Sequence, residues 1–179
     1  MLADGIGHGA KAHRIVMMLA ERLKLLSSSS SPVPGIADCL TGLHQELQLR
    51  IDGGQAAVAL VDVNTDRDEL AVISVGNIQV HYFTPATGFH FPSMHGMVGG
   101  RFPRQLHVVR TALCSQSLLA LFSDGVDSAP ASRYLGDLHA RSTVHGLQIQ
   151  AEVESVVSRF GRSEDDASCA LLWFEEGTD

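Results

Sequence analysis

Apolar residues recur at the spacing of an amphipathic helix in two segments near the start of the chain and in one near its end. The first segment carries Ile15, Val16, Leu19, Leu23 and Leu26. The second carries Ile36, Leu40, Leu43, Leu47 and Ile51. The third carries Ile149, Val153, Val156, Val157 and Phe160. A shorter helix is predicted over 129–141, a serine-rich stretch with two prolines ends the first helix, and a glycine pair ends the second.

Between these helices the pattern changes to short and almost unbroken apolar runs. They are rich in β-branched and aromatic residues, which favours strands. The runs cover 56–63, 70–75, 78–83, 106–111, 118–122 and 169–174, with a further short strand near 89–91. Gly76-Asn77 has the chemistry of a tight hairpin turn between two of them. Because the runs are apolar on both faces, the sequence predicts an α+β fold with two packed sheets flanked by helices on their outer faces.

The composition indicates a globular domain and narrows the classes of function. The chain has 179 residues, of which 45% are hydrophobic and 18% charged, enough for one domain with a substantial core. Its formal charge of -7 disfavours nucleic acid and anionic membranes as partners. No apolar stretch approaches the roughly 18 residues of a membrane span. Cys39, Cys114 and Cys169 form no disulfide or zinc motif, which fits a reducing cytoplasm.

Three acidic turns lie at the ends of predicted strands. The first is Asp4 with Gly5, after three residues that look like the end of a strand. The second is Asp124, directly after an apolar run, and the third is the pair Asp165 and Asp166, just before the last strand. Carboxylate oxygens are the ligands that hard divalent cations prefer. The three turns therefore favour a divalent-metal phosphatase.

Four short motifs, in this order along the chain, carry a family resemblance. They are Ala-Asp-Gly-Ile-Gly-His-Gly at 3–9, Ser-Val-Gly-Asn-Ile at 74–78, Phe-Ser-Asp-Gly at 122–125 and Glu-Asp-Asp-Ala-Ser at 164–168. The set resembles the metal-dependent (PPM) protein serine/threonine phosphatases, and in particular the bacterial branch that includes SpoIIE and RsbX. The resemblance extends over nearly the whole chain. It implies an α-β-β-α sandwich of two antiparallel sheets between helical pairs, with two Mn²⁺ or Mg²⁺ ions at one end.

The resemblance also implies roles for individual residues. Asp4 would bridge both ions, and the Gly5 carbonyl would bind one of them. Asp124 and Asp165 would hold the other ion, with Asp166 as an alternative ligand beside Asp165. Two cations about 3.5–4 Å apart can activate a bridging water for attack on a phosphoryl group.

Each of these residues also has a structural interpretation, which the sequence leaves open. Asp4 and Asp124 are alternatively turn residues, because Asp-Gly is a favoured turn pair. Asp165 and Asp166 are alternatively a solvated pair beside a strand. His8 is a candidate for substrate binding or for a general acid, and alternatively a surface residue of its glycine-rich turn. The other histidines lack the spacing of a zinc site, so structural or solvated roles are expected for them.

The chain departs from the family at its N-terminus. Family members carry one or two strands before the first Asp-Gly motif, with an acidic residue there that completes the shell of the first metal. In this chain only three residues precede Asp4. We therefore expect residues 1–179 to form a single phosphatase domain that lacks its N-terminal strands. A fragment of a longer protein, a strand supplied by a partner, and a non-catalytic relative are the competing explanations.

Two functions from different classes follow. The first is a phosphatase that removes phosphate from phosphoserine or phosphothreonine on a bacterial regulatory protein in partner-switching or stress signalling. The second is a catalytically impaired phosphatase fold that binds a phosphoprotein or regulator without hydrolysing it. The retained acidic turns favour the first, and the missing upstream carboxylate favours the second. The sequence leaves open the substrate, the choice between Mn²⁺ and Mg²⁺, and the oligomeric state.

Overall fold

The computed structural model describes residues 1–7, 9–28, 34–49, 54–142 and 148–175. His8 and the residues 29–33 and 50–53, on which two of the predicted helix ends fall, lie outside the described residues. Within the described ranges no helix is long and apolar enough to cross a membrane. Those ranges contain β1 (Leu2–Gly5), α1 (Ala10–Ser28), α2 (Ile36–Gln48), β2 (Ala56–Asn64), β3 (Glu69–Val75), β4 (Gln79–Phe83), β5 (Gly88–Phe91), β6 (Val109–Ala112), β7 (Ser117–Phe122), α3 (Ser128–Ser142), α4 (Ile149–Phe160) and β8 (Cys169–Phe174).

The strands form two antiparallel sheets of four strands each, as the sequence predicts. The first sheet has the order β1-β2-β3-β6, and the second has the order β5-β4-β7-β8. In the first sheet β1 pairs with β2 from Leu2 opposite Ala59 to Gly5 opposite Ala56. In the second sheet β7 pairs with β8 from Ser117 opposite Phe174 to Phe122 opposite Cys169.

Alternation of side chains along each strand divides the apolar residues among three layers. In β2, Val58 and Leu60 pack outward in one core with α1 and α2, whereas Ala57 and Ala59 pack inward between the sheets. In β7, Leu119 and Leu121 face the core between the sheets. Phe122 and its alternate neighbours face a third core, with α3 and α4. Both faces of the central strands are therefore covered, which explains why their sequences are continuously apolar.

The turn at Gly76-Asn77 is not the hairpin that its sequence predicts. The strands on either side of it belong to different sheets, because β3 pairs with β2 and β6 whereas β4 pairs with β5 and β7. Gly76 does adopt the positive φ of a tight turn, at 101°. The prediction was right about the local backbone and wrong about pairing, since burial of both strand faces decides which strands become neighbours. Asn77 consequently stands where the chain crosses from one sheet to the other.

A second difference concerns the run 106–111, which was expected to be a strand throughout. Pairing with β3 begins only at Val109 and extends to Ala112. Leu106 and Val108 instead pack against the core of the first sheet from outside the ladder. Their apolar character is explained by this packing, which the strand prediction could not distinguish from sheet pairing.

Candidate metal centre

An open cavity of about 680 Å³ lies where the ends of both sheets meet the start of α1. We call it the acidic cavity. The polar residues that line it include Asp4, Asn77, Asp124, Asp165, Asp166 and Ser168. The structure thus brings together all four aspartates proposed from the sequence, although they come from three separate turns.

Asp4 is half-buried on β1, opposite Ala57 of the neighbouring strand. The pKa of Asp4 is raised from 3.8 to about 6, first by burial, then by the Asp124 carboxylate that shares a hydrogen bond with it, and then by Asp165 and Asp166. Carboxylates that lie this close disfavour each other's ionised form. The acidic cavity therefore concentrates negative charge around Asp4. No described residue lowers the pKa of this carboxyl group.

Gly5 brings the end of β1 into contact with α1. A Cβ at this position would lie 2.7 Å from the backbone oxygen of Ala12, so a larger residue would force the strand and the helix apart. The next residue, Ile6, donates its N–H to the carbonyl of Gln55 at 2.8 Å. The backbone beside Asp4 is thereby held in place, as a carbonyl that binds a metal would require.

Ser123 joins the second acidic turn to the third. Its backbone N–H donates to the carbonyl of Ser168 at 3.0 Å. Its Oγ accepts the N–H of Ser168 at 2.9 Å and donates to the carbonyl of Asp166 at 3.3 Å. We call these three hydrogen bonds the Ser123 clamp. Because Ser123 is 2% exposed, water competes little for them, and Asp124 is held at a fixed position relative to Asp166.

Gly125 and Arg162 bring the same two turns closer together. A Cβ on Gly125 would lie 2.3 Å from the carbonyl oxygen of Asp166, a distance that non-bonded atoms do not reach. The N–H of Arg162 donates to the carbonyl of Gly125 at 2.7 Å. Glycine is therefore required at 125 for packing against the third turn, in addition to any requirement of the turn itself.

Asp165 and Asp166 are exposed at the rim of the cavity. The Asp165 carboxylate accepts the backbone N–H of Asp166 at 2.9 Å, so one of its oxygens is engaged within its own turn. Both residues act on Asp4 electrostatically. This geometry is compatible with either aspartate as a ligand, and the preference for Asp165 stays a prediction.

Asn77 is a site residue that the sequence analysis assigned to a turn. Its side-chain amide N–H donates to an oxygen of Asp124, and its own side-chain oxygen is buried without a hydrogen-bond partner. The motif at 74–78 was noted as part of the family resemblance, but local turn chemistry gives no sign of a contact 47 residues away. Only the crossing between the sheets places Asn77 in the cavity.

His44 and His139 have structural surroundings, whereas His13 is exposed and lines the acidic cavity. His44 accepts the N–H of Gly99 and stacks on Phe102. His139 is buried and contacts the carbonyl of Gln116 at 2.8 Å. The sequence predicts structural or solvated roles for histidines outside the acidic turns, and the surroundings of these two are of the structural kind. The proposed role of His8 cannot be compared, because His8 lies outside the described residues.

The donor set of the acidic cavity fits divalent cations such as Mn²⁺ and Mg²⁺. Its acidic side chains are four aspartates, the imidazole of His13 also lines it, and the orphaned oxygen of Asn77 is a further hard donor. Among the described residues, however, no three His, Cys, Asp or Glu side chains are already grouped closely enough to hold one ion. Mutual repulsion disfavours a closer grouping of these carboxylates without a cation.

Solved structures of other proteins have the same fold as this chain. The chain superposes on RsbX in complex with magnesium with a TM-score of 0.72 and 16% identity, over 94% of this chain and 76% of that one. The SiaA PP2C domain of Pseudomonas aeruginosa gives a TM-score of 0.74 and 18% identity, over 97% and 74%. The chain thus has the fold of the PPM (PP2C-type) phosphatase domains, which the four sequence motifs indicated.

The chain belongs to the Stage II sporulation protein E (SpoIIE) family, whose family model matches residues 1–174. The PP2C phosphatase domain of SpoIIE from Bacillus subtilis, solved with a fragment of its regulatory domain, has 18% identity and a TM-score of 0.62. That match covers 94% of this chain and 52% of the SpoIIE chain. No curated protein sequence matches the chain.

Proposed function

We propose that the chain is a metal-dependent phosphoprotein phosphatase that hydrolyses phosphoserine or phosphothreonine on a bacterial regulatory protein. The observation that carries this proposal is the contact between the Asp4 and Asp124 carboxylates in an open cavity. One carboxylate comes from the first sheet, and the other follows a strand of the second. Two sheets that direct acidic groups to one point favour a cation site over unrelated turn residues. Membership in the SpoIIE family supports the same activity.

The proposed ligands are those that the family resemblance implies. Asp4 would contact two Mn²⁺ or Mg²⁺ ions, the Gly5 carbonyl one of them, and Asp124 with Asp165 or Asp166 the other. When bound, the two ions would supply a nucleophilic water at neutral pH and would stabilise the charge on the phosphoryl oxygens. RsbX, a relative in fold, was crystallised in complex with magnesium.

The residues around the acidic cavity hold the proposed metal ligands in position. The Ser123 clamp fixes the turn of Asp124 against the turn of Asp165 and Asp166, so that the carboxylates of both turns face one cavity. Phosphoryl transfer depends mainly on such positioning and on charge neutralisation. With a formal charge of -7, the chain itself repels a phosphate dianion. Binding of a phosphorylated side chain is therefore expected to require the cations.

A regulatory protein of the partner-switching type is the proposed substrate. The acidic cavity is open, which suits a phosphorylated side chain presented on the surface of a folded protein. The resemblance to SpoIIE and RsbX implies a signalling role of this kind. The three cysteines are free in the structure, which supports the cytoplasm as the compartment in which the chain would act on this substrate.

A binding-only role is the second candidate function. It is favoured by one observation, namely that the described side chains do not form a ready-made group of three metal ligands. In such a chain the acidic cavity would dock a phosphoprotein or regulator without hydrolysing it. The two functions differ in whether Mn²⁺ or Mg²⁺ converts binding into turnover.

The deciding experiment is Mn²⁺-dependent hydrolysis of a phosphoserine peptide, with a chelator as the blank. We expect activity in the wild-type chain and its loss in Asp124→Asn, because this change removes a charged ligand while keeping the size of the side chain. Asp66→Asn is the matched control, since Asp66 is exposed in the turn between β2 and β3. A folded wild-type chain that binds the phosphopeptide but releases no phosphate would reject the enzyme in favour of the binding module.

A further inference from the structure

The side chain of Asn77 lies at the wall of the acidic cavity and contacts one of the proposed ligands directly. Its amide N–H donates to an oxygen of Asp124, which follows a strand of the second sheet. The amide oxygen is buried and accepts no hydrogen bond from the described residues. Buried polar atoms without partners are rare in folded proteins, and each calls for an explanation such as a missing ion or water.

The backbone that carries Asn77 is held by hydrogen bonds on both sides. Gly76 donates its N–H to the carbonyl of Met94 at 3.0 Å and accepts the hydroxyl of Ser93 at 2.8 Å. The hydroxyl of Ser74 donates to the carbonyl of Ile78 at 3.1 Å. A Cβ on Gly76 would lie 2.5 Å from the Cβ of Ala57, so the turn packs tightly on β2. The Asn77 side chain therefore extends from a fixed point and has little freedom to relocate.

We propose that Asn77 is a positioning residue for the metal centre. Its amide restrains the Asp124 carboxylate in the orientation that a cation needs, and its buried oxygen adds a neutral acceptor for the cation or for a water that the cation carries. This inference rests on the proposed function, because it requires that the acidic cavity binds divalent cations.

The chemistry of an amide suits this place better than a carboxylate or a hydrocarbon does. It can donate to Asp124 and accept from the cavity at the same time. It adds no negative charge to a cluster in which Asp4 already meets three other carboxylates. Partners that orient metal ligands in this way typically change metal affinity by about 10- to 100-fold when they are removed.

The test measures Mn²⁺ binding by calorimetry and the rise in Tm that Mn²⁺ produces, so that neither readout depends on turnover. We expect Asn77→Ala to weaken the Mn²⁺ Kd by about 10-fold or more and to reduce the Tm rise accordingly. Asn64→Ala is the matched control, because Asn64 accepts the N–H of Arg67 in a turn that does not line the acidic cavity. That control loses an asparagine hydrogen bond and should leave the Mn²⁺ Kd unchanged.

If Asn77 has a purely structural role, Asn77→Ala will lower the Tm equally with and without Mn²⁺, and its Mn²⁺ Kd will equal that of the wild-type chain. This outcome overturns the inference alone. Failure of the wild-type chain to bind Mn²⁺ overturns the proposed function as well. If Asn77→Ala does not fold, Asn77→Ser replaces it, since the serine hydroxyl is too short to reach Asp124 while remaining polar in the turn. For this variant too, weakened Mn²⁺ binding supports the inference and unchanged binding contradicts it.

Discussion

The two sides of the acidic cavity are built in different ways. On the side of the second sheet, the turns of Asp124 and Asp166 are joined by the Ser123 clamp and by the contact of Gly125 with Asp166. On the side of the first sheet, Asp4 sits on β1, an edge strand that pairs with β2 over four residues. One side is fixed by hydrogen bonds between turns, and the other is fixed by strand pairing with β2 and by packing against α1.

The electrostatic strain is found on the side of the first sheet. Burial and three neighbouring carboxylates raise the pKa of Asp4 to about 6. The clamped turns therefore set the relative positions of Asp124 and Asp166, whereas Asp4 carries the electrostatic repulsion that a cation would relieve under the proposed function. Changes on the clamped side should therefore disturb the geometry of the site, whereas changes at Asp4 should be visible already in the stability of the metal-free protein.

Gly125→Ala is expected to have the largest effect, because it separates the two clamped turns. The new Cβ would lie 2.3 Å from a backbone oxygen, so the turns must move apart by roughly an ångström. Displacements of that size can reduce catalytic rate by about 100-fold. The measurement is Mn²⁺-dependent turnover of the phosphoserine peptide, accompanied by the Mn²⁺ Kd.

Gly42→Ala provides the matched control for that change. Gly42 lies within α2, where a Cβ would meet no atom within 4 Å. Alanine is favoured over glycine inside a helix by up to about 1 kcal/mol, so this variant should be at least as stable as the wild-type chain and fully active. Equal activity of Gly125→Ala and Gly42→Ala would contradict the importance of the clamped side.

Ser123→Ala is expected to have an intermediate effect, since it removes only the hydroxyl from the clamp. The backbone bond from Ser123 to Ser168 remains, but the N–H of Ser168 loses its acceptor. We expect Mn²⁺ affinity to fall by about 10-fold and the free energy of unfolding to fall by about 1–2 kcal/mol. Ser132→Ala, which loses a contact with His81 under α3, should lower stability without changing the Mn²⁺ Kd. The interpretation fails if both serine variants change Mn²⁺ affinity equally.

These residues also show where sequence reasoning reached its limit. The strands were predictable because burial on both faces leaves continuous apolar runs, as in β7 with all six residues buried. The convergence of the four aspartates on one cavity was predictable because acidic turns at strand ends form a recognisable pattern, which the family resemblance strengthened. The architecture of two antiparallel sheets followed from the same two sources and is confirmed.

The partners of the aspartates were not predictable in the same way. Ser123 finds its acceptor 43 residues away and Asn77 finds Asp124 47 residues away. Neither contact leaves a local pattern, since serine and asparagine are ordinary turn residues. The crossing at Gly76-Asn77 depends on which sheet each strand joins, and this is decided by packing of the whole chain.

The smallest expected effect concerns Asp4 and the stability of the metal-free protein. In chelator, the Asp4 carboxyl has a pKa of about 6 in the folded chain and 3.8 as its ordinary value. Between these pH values the folded chain keeps a proton that the unfolded chain has released. The contribution of Asp4 to the free energy of unfolding therefore falls as pH rises from about 4 to about 6. Above that range the contribution is constant. Asp4→Asn cannot ionise and should remove this loss.

We therefore expect the Tm of metal-free Asp4→Asn to exceed that of the wild-type chain by a few degrees at pH 7, with the difference disappearing towards pH 4. Differential scanning calorimetry across this range measures it. The contributions of other titrating groups cancel in the difference between the two proteins. One such group is His81, whose pKa is lowered to about 4 by burial and then by His90. Asp66→Asn should show no such difference. A Tm difference that does not vary with pH would mean that Asp4 is held by packing alone, and that the charge in the cavity does not act on the fold.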